Sequence, residues 1–288
     1  MVKKSPKLKF PLKGRKKYVV MLAPSYIVDF SYPEIIFALR KLGFDKVVEL
    51  TFGAKMVNRE YHSILEHNLS AHGFWISSVC PGIVDLVSTR FPQYRKNLIP
   101  VDSPMIAMAK IVRKTYSKHG IVFISPCNFK KIEAKDSGVV DYAIDYSELM
   151  EIFRKKKISL ESFSDHEKAH FDKFYNDYTK VYPLAGGLSK TARLKGLLKR
   201  REIKKIDGAE KVIEFLENPS IKTKFLDANF CEGACIGGPC IYSKKLSLRK
   251  RRRKVLKYLN QSKREEIPKT DKGLVKCAEG INFRRYDL

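Results

Sequence analysis

The chain has 288 residues, 44% of them hydrophobic, which is enough for one large domain or two modest lobes around a cleft and excludes a globally disordered chain. Lys and Arg number 57 against 31 Asp and Glu, a net charge of +26. That charge leaves two readings open: a surface for acidic partners (nucleic acid, an anionic membrane or an acidic electron carrier), or a Lys-rich coat that gives solubility. No apolar run approaches the roughly 18 residues that span a bilayer. The basic start lacks an adjoining apolar segment with a small-residue cleavage site, so a soluble cytoplasmic protein with no membrane span is expected.

Residues 1–17 carry eight Lys or Arg and little core material, which predicts a mobile basic arm. KYVVMLAPS (17–25) predicts a buried strand running into a Pro-marked turn. SYPEIIFALRKLGF (31–44) has helical apolar spacing, with Pro33 near its start and Gly43 at its end. DKVVELTFG predicts a second strand, residues 54–67 a helix, and GFWISSVCPG a strand that breaks at Pro81. Residues 103–118 read as helical, GIVFISPCN as a strand ending in a Pro–Cys turn, and 139–158 as a strand and then a helix with Ser147 as its N-cap. Residues 160–180 lack a clear period; YPLAGGLSKTA is a glycine loop leading to a helix, and GAEKVIEFLEN is an amphipathic helix. FLDANFCEGACIGGPC is a strand entering a glycine-rich turn, and residues 244–263 form a basic helix before a polar tail. Alternation of short apolar strands with helices predicts an α/β fold with parallel sheet.

Six cysteines occur, at positions 80, 127, 231, 235, 240 and 277. Four of them sit in turns that follow short apolar strands, beside Pro or Gly: Cys80, Cys127, Cys231 and Cys235. Loops at the carboxyl ends of parallel strands are where open α/β folds build ligand sites. Thiolates are the natural ligands of iron–sulfur clusters, and a cubane takes four of them. Gly233, Gly237 and Gly238 around the closely spaced pair leave room for close backbone approach and free amides. A zinc site is the alternative, although zinc motifs usually show two tight pairs rather than one pair and two distant singles. Cys240 reads as structural, Cys277 carries no assignment, and the six histidines form no metal spacing.

SSVCPG (77–82), SPCNFKKIE (125–133) and CEGACIGG (231–238) resemble, in order and separation, the three signature segments of iron-only (FeFe) hydrogenases. VDSPM (101–105) is similar to the family's Ser-Pro helix start, LAPS (22–25) to its N-terminal cluster loop, and PLAGGLSKTA (183–192) to a segment of shorter, sensory-type members. The resemblance covers about residues 18–240. It implies a two-lobed H-cluster domain of twisted parallel sheets flanked by helices, with the cluster in the cleft. The basic arm (1–17) would precede this domain (18–243), and a basic C-terminal helix and tail (244–288) would follow it.

The cofactor implied is the H-cluster, a cubane bridged to a diiron unit with carbonyl, cyanide and azadithiolate ligands. By motif position, Cys80, Cys127, Cys231 and Cys235 would bind the cubane, and Cys235 would bridge to the diiron unit. Lys130 would donate to one cyanide, and Ala23, Pro24 and Ser25 would line the other. The activity implied is reversible reduction of protons to dihydrogen. The partners implied are an external ferredoxin-like electron carrier and hydrogenase maturation proteins; with no recognised nucleic-acid module, nucleic acid is not favoured as the main partner.

The sequence also departs from the family pattern. Val79 stands where efficient members have a proton-passing Cys, and Tyr61 and Ile64 fall at two relay glutamates. Ser125 and Asn229 replace flanking methionines, and Met105 stands where many members have Gln. Slow turnover is therefore expected, with a hydrogen or redox sensor, or a protein of the same fold holding only the cubane, as the alternative.

Overall fold

A computed structural model describes residues 8–69, 73–160 and 170–285. In chain order it contains β1 (Tyr18–Leu22), α1 (Glu34–Lys41), β2 (Lys46–Glu49), α2 (Thr51–Asn68), β3 (Trp75–Ile76), α3 (Pro81–Arg90), α4 (Pro104–Thr115), β4 (Gly120–Ser125), α5 (Asn128–Ser137) and β5 (Tyr142–Asp145). The second half adds α6 (Tyr146–Lys155), α7 (Gly187–Thr191), β6 (Ile203–Asp207), α8 (Ala209–Glu217), β7 (Phe225–Asn229) and α9 (Leu248–Ser262). The strands form two sheets, ordered β2-β1-β4-β5 and β3-β7-β6, and every pairing within them is parallel. Strands buried on both faces read as continuous apolar runs; all six residues of β4, GIVFIS, are buried, and Val122 stands level with Val20, which is level with Val47. The expectation of parallel sheets flanked by helices is met.

Local chemistry explains where several helices begin. Ser103 caps α4 by accepting the Ile106 N–H, and Pro104 occupies the first turn, where its missing N–H is harmless. The cap of α6 is Asp145, not the Ser147 expected from the sequence: its carboxylate accepts the Glu148 N–H at 2.8 Å, and Glu148 accepts the Asp145 N–H in return. Pro81 opens α3 rather than merely ending a strand. Residues 8–12 are not a free arm. Leu12 donates its N–H to the Leu42 carbonyl, and the Phe10 ring packs tilted against Phe44 with centroids 5.9 Å apart, because Leu8, Phe10 and Leu12 supply apolar side chains there.

Helix α9 packs Val255, Tyr258 and Leu259 into the core that also holds the first sheet's Val20, Leu22 and Val122. Beneath it lies a fully buried ion pair. The Lys180 ammonium donates to Glu49 at 2.7 Å and to the Tyr258 hydroxyl at 2.6 Å, and Tyr258 donates to the other Glu49 oxygen at 3.0 Å. The rings of Tyr258 and Tyr175 stand 4.1 and 4.7 Å from the Lys180 nitrogen, a cation–π enclosure. Among the described residues, no helix is long and apolar enough to cross a membrane.

Candidate metal centre

The four cysteines singled out by their turns come from both sheets. Cys80 follows β3 and caps α3; Cys127 follows β4 and caps α5; Cys231 and Cys235 lie in the loop after β7. Each sits at the carboxyl end of a parallel strand, and two sit at helix N-termini, where backbone amides and the helix dipole favour negative charge. The loop after β7 is pinned against the Cys127 turn: Cys240 donates its N–H to the Pro126 carbonyl at 3.3 Å. The loop glycines have a different reason from the one their sequence suggests. A Cβ on Gly238 would stand 2.7 Å from the Pro126 oxygen and one on Gly237 only 1.7 Å from the Glu232 oxygen, so they permit the loop to fold on itself and on its neighbour.

One cavity of about 100 Å³ is lined by Ala23, Pro24, Ser25, Cys80, Cys127, Lys130 and Cys235, with Val79, Ser125 and Asn229 also on its wall. Cys231 faces a second hollow, of about 500 Å³, which it shares with Cys127. The structure thus brings seven of the eight residues expected in the site to one cavity, and sets the eighth, Cys231, on a hollow that Cys127 also lines. The Lys130 ammonium is held by Glu133 at 2.6 Å and reaches the Val79 carbonyl at 3.4 Å. Ser103 donates to the same Glu133 oxygen at 2.9 Å. Ser25 shares a 2.7 Å hydrogen bond with the Tyr146 hydroxyl, which donates to the Ala23 carbonyl at 3.1 Å and so fixes the LAPS turn.

Tyr61 and Ile64 do not line the cavity. Tyr61 is fully buried behind the first cysteine turn, where its hydroxyl accepts the Ser78 N–H at 2.7 Å. Ile64 is core. Two wall residues were missed by sequence reasoning. Asp227 is buried on β7, its carboxyl raised by burial and held by the Ser189 N–H at 2.9 Å. Tyr182 keeps its hydroxyl buried, with no hydrogen-bond partner among the described residues. The only signal for either was a polar residue within an apolar stretch.

The thiols sense one another. Cys127 is pushed up to about 11 by burial and then by Cys80, against the Phe129 and Lys130 amides and the Lys130 ammonium. Cys231 is pushed up to about 12 by burial, then by Cys80, Cys127 and Cys240. Cys235 is raised by burial and by the other three thiols, with Lys130 opposing; its sulfur is accessible because it faces the cavity, yet protein encloses it. Among the described residues, no three Cys, His, Asp or Glu side chains come close enough to share one metal ion. A zinc ion with bonds of about 2.3 Å needs its sulfurs nearly touching, whereas a cubane spreads its corners over separated thiolates. This donor set, with a cation and an unpartnered hydroxyl on the same wall, suits an anionic cluster.

A pH dependence follows. In the cluster-free chain these thiols stay protonated well above the pH of about 8.5 at which free cysteines ionise. Folded values above unfolded ones give stability that is intact below that pH and lost as pH rises toward 11. Thermal melts from pH 8 to 11 are expected to fall for the cluster-free chain, and less steeply for the doubly substituted Cys127→Ala, Cys231→Ala chain; equal slopes would refute this.

Residues 16–239 match the family described as iron only hydrogenase large subunit, C-terminal domain. Iron hydrogenase 1 of Clostridium pasteurianum is 25% identical over 255 aligned residues, covering 71% of this chain and 44% of that protein. The chain thus spans less than half the length of that curated relative. A variant of FeFe-hydrogenase HydA1 from Chlamydomonas reinhardtii shares the fold with a TM-score of 0.66 and 18% identity, over 90% of this chain and 86% of that one. The structure of HydA(deltaEFG), described as revealing stepwise FeFe-hydrogenase H-cluster assembly, gives 0.63 and 18% over 92% of this chain and 87% of that one. Three ordered cysteine turns, one cavity and a match across most of the sequence agree: the chain belongs to the family formed by the C-terminal domains of iron-only hydrogenase large subunits.

Proposed function

We propose that this chain is a slow hydrogenase of the cytoplasm, holding an H-cluster and interconverting protons and dihydrogen with electrons from an external ferredoxin-like carrier. Maturation proteins would deliver the diiron unit. The observation that carries this reading is the single cavity that Ala23, Pro24, Ser25 and Lys130 share with Cys80, Cys127 and Cys235. When bound, the cofactor supplies redox-active iron at which electrons and protons meet.

The chain's own residues then have distinct tasks. Cys80, Cys127, Cys231 and Cys235 would hold the cubane as thiolates, and the cavity that Cys235 lines would receive the diiron unit. Lys130, fixed by Glu133, would offer an ammonium donor to an anionic ligand from a largely apolar wall. Leu50, Phe123 and Leu188 give that wall its apolar character and exclude solvent. Proton delivery is the weak point. Val79 lines the cavity with no titratable atom, and Tyr61 is locked against Ser78 behind it. This favours slow turnover, or a sensor or cubane-only role in the same fold.

Infrared spectroscopy after loading with a synthetic diiron precursor tests the reading: carbonyl and cyanide bands are expected. An intact cubane without those bands would replace it with the cubane-only alternative. Restoring the relay group with Val79→Cys is expected to raise hydrogen evolution by about a hundredfold, the usual scale of one positioned proton-transfer group. No gain would place the block elsewhere.

A further inference from the structure

We propose that the exposed basic face of α9 is the docking surface for an acidic one-electron carrier protein. The proposal rests on the iron–sulfur reading above and assigns its partner a location. Residues 233–264 contain eleven Lys or Arg and no Asp or Glu. Of these, Arg249, Lys250, Arg252, Arg253 and Lys257 are exposed along α9. The whole helix lies beyond the 16–239 span that matches the family, so the family match does not account for its charge.

Helix α9 is tied to both loops of the site. The buried Arg251 donates to the Ile236 carbonyl at 2.9 Å, one residue past Cys235. Lys254 donates to the Val28 carbonyl at 2.6 Å, at the end of the turn that begins at Pro24. At the helix start, Leu248 and Arg251 form one side of the hollow that reaches Cys127 and Cys231. A partner seated on the start of α9 therefore stands beside the hollow that Cys127 and Cys231 line. Leu248, the first residue of α9, and Tyr242, in the loop before it, are large apolar residues left exposed, 38% and 45% accessible, which adds apolar area beside the charged surface. That combination fits a protein carrier better than a phosphate backbone, which is gripped mainly by charge. None of the six cysteines forms a second cluster motif, so within this chain the four-cysteine site has no relay of its own. A basic surface meeting an acidic carrier raises the encounter rate and makes it salt-sensitive.

The test uses the full chain loaded with the cubane alone and a photoreduced, acidic two-cubane bacterial ferredoxin, mixed by stopped flow at low salt. Changing Arg249, Lys250, Arg252 and Arg253 together to Glu is expected to lower the second-order rate at least about tenfold and to flatten its salt dependence. The same four changed to Gln should give a smaller fall in the same direction. Iron content and circular dichroism verify that each variant is folded and loaded. A control with Lys195, Arg200 and Arg201 changed to Glu should stay within about twofold of the parent. Equal falls in both patches, or none in the α9 variants, would overturn the proposal. So would loss of binding to a 30-base-pair DNA duplex in the α9 variant with the ferredoxin rate unchanged, which would give this surface to nucleic acid. A chain that assembles no cubane overturns the iron–sulfur reading as well; a loaded chain indifferent to α9 overturns only the docking surface.

Discussion

A chain carrying Cys127→Ala is expected to assemble no stable cubane, with iron and sulfide falling from about four of each per chain to near zero. Cys127 is the thiol common to the two halves of the site: it alone lines both the cavity and the second hollow, and it is the one cysteine of the four delivered by the first sheet. Alanine there removes a ligand without adding bulk. Reconstitution with iron and sulfide, followed by metal analysis and circular dichroism, separates lost binding from lost folding. Cys240→Ala provides the contrast. Its sulfur points to the Asn128 side chain at 3.1 Å, and its replacement should leave the full complement of iron. Retention of the cubane by Cys127→Ala, or its loss in Cys240→Ala, would show that the ligand set has been chosen wrongly.

Lys180→Met is expected to destabilise the cluster-free chain by about 3–5 kcal/mol, the usual loss when one partner of a buried ion pair is removed. Methionine keeps much of the lysine stem but abandons Glu49, which is 2% exposed. Burial already pushes the Glu49 carboxyl upward, and Lys180 is the largest influence opposing it. Adding Glu49→Gln should recover most of the loss, because a neutral amide no longer needs a cation and can still meet the Tyr258 hydroxyl. Urea unfolding of the parent, the single variant and the double variant measures this. A double variant no more stable than the single would mean that packing within the aromatic cage, rather than charge, sets the effect.

The first sheet was legible in the sequence because its strands are short apolar runs, VVML, KVVE and GIVFIS, each closed by a turn residue or a helix signal. The site was legible because Pro and Gly flank its cysteines at strand ends. Strand β6 was hidden: it reads IKKID, only Ile206 is buried, and its lysines face solvent at the edge of the second sheet. Helix α5 was hidden for a related reason, since Ala134 is its only buried residue and apolar periodicity is absent. The unpartnered Tyr182 hydroxyl and the buried Lys180 were beyond reach of the sequence, because an isolated polar residue carries no mark of whether tertiary packing will enclose it. The expectations for residues 161–169 lie outside the described residues.

The split of the four cysteines between the sheets has a mechanical consequence. Cys127 belongs to the half of the fold built on β4, and Cys80, Cys231 and Cys235 to the half built on β3 and β7. An inorganic body bonded to all four would act as a rivet through both plates. Hinge motion between the halves would then stop, so any later opening of the cavity would have to use loops such as the LAPS turn and the loop after β7, not the separation of the plates themselves.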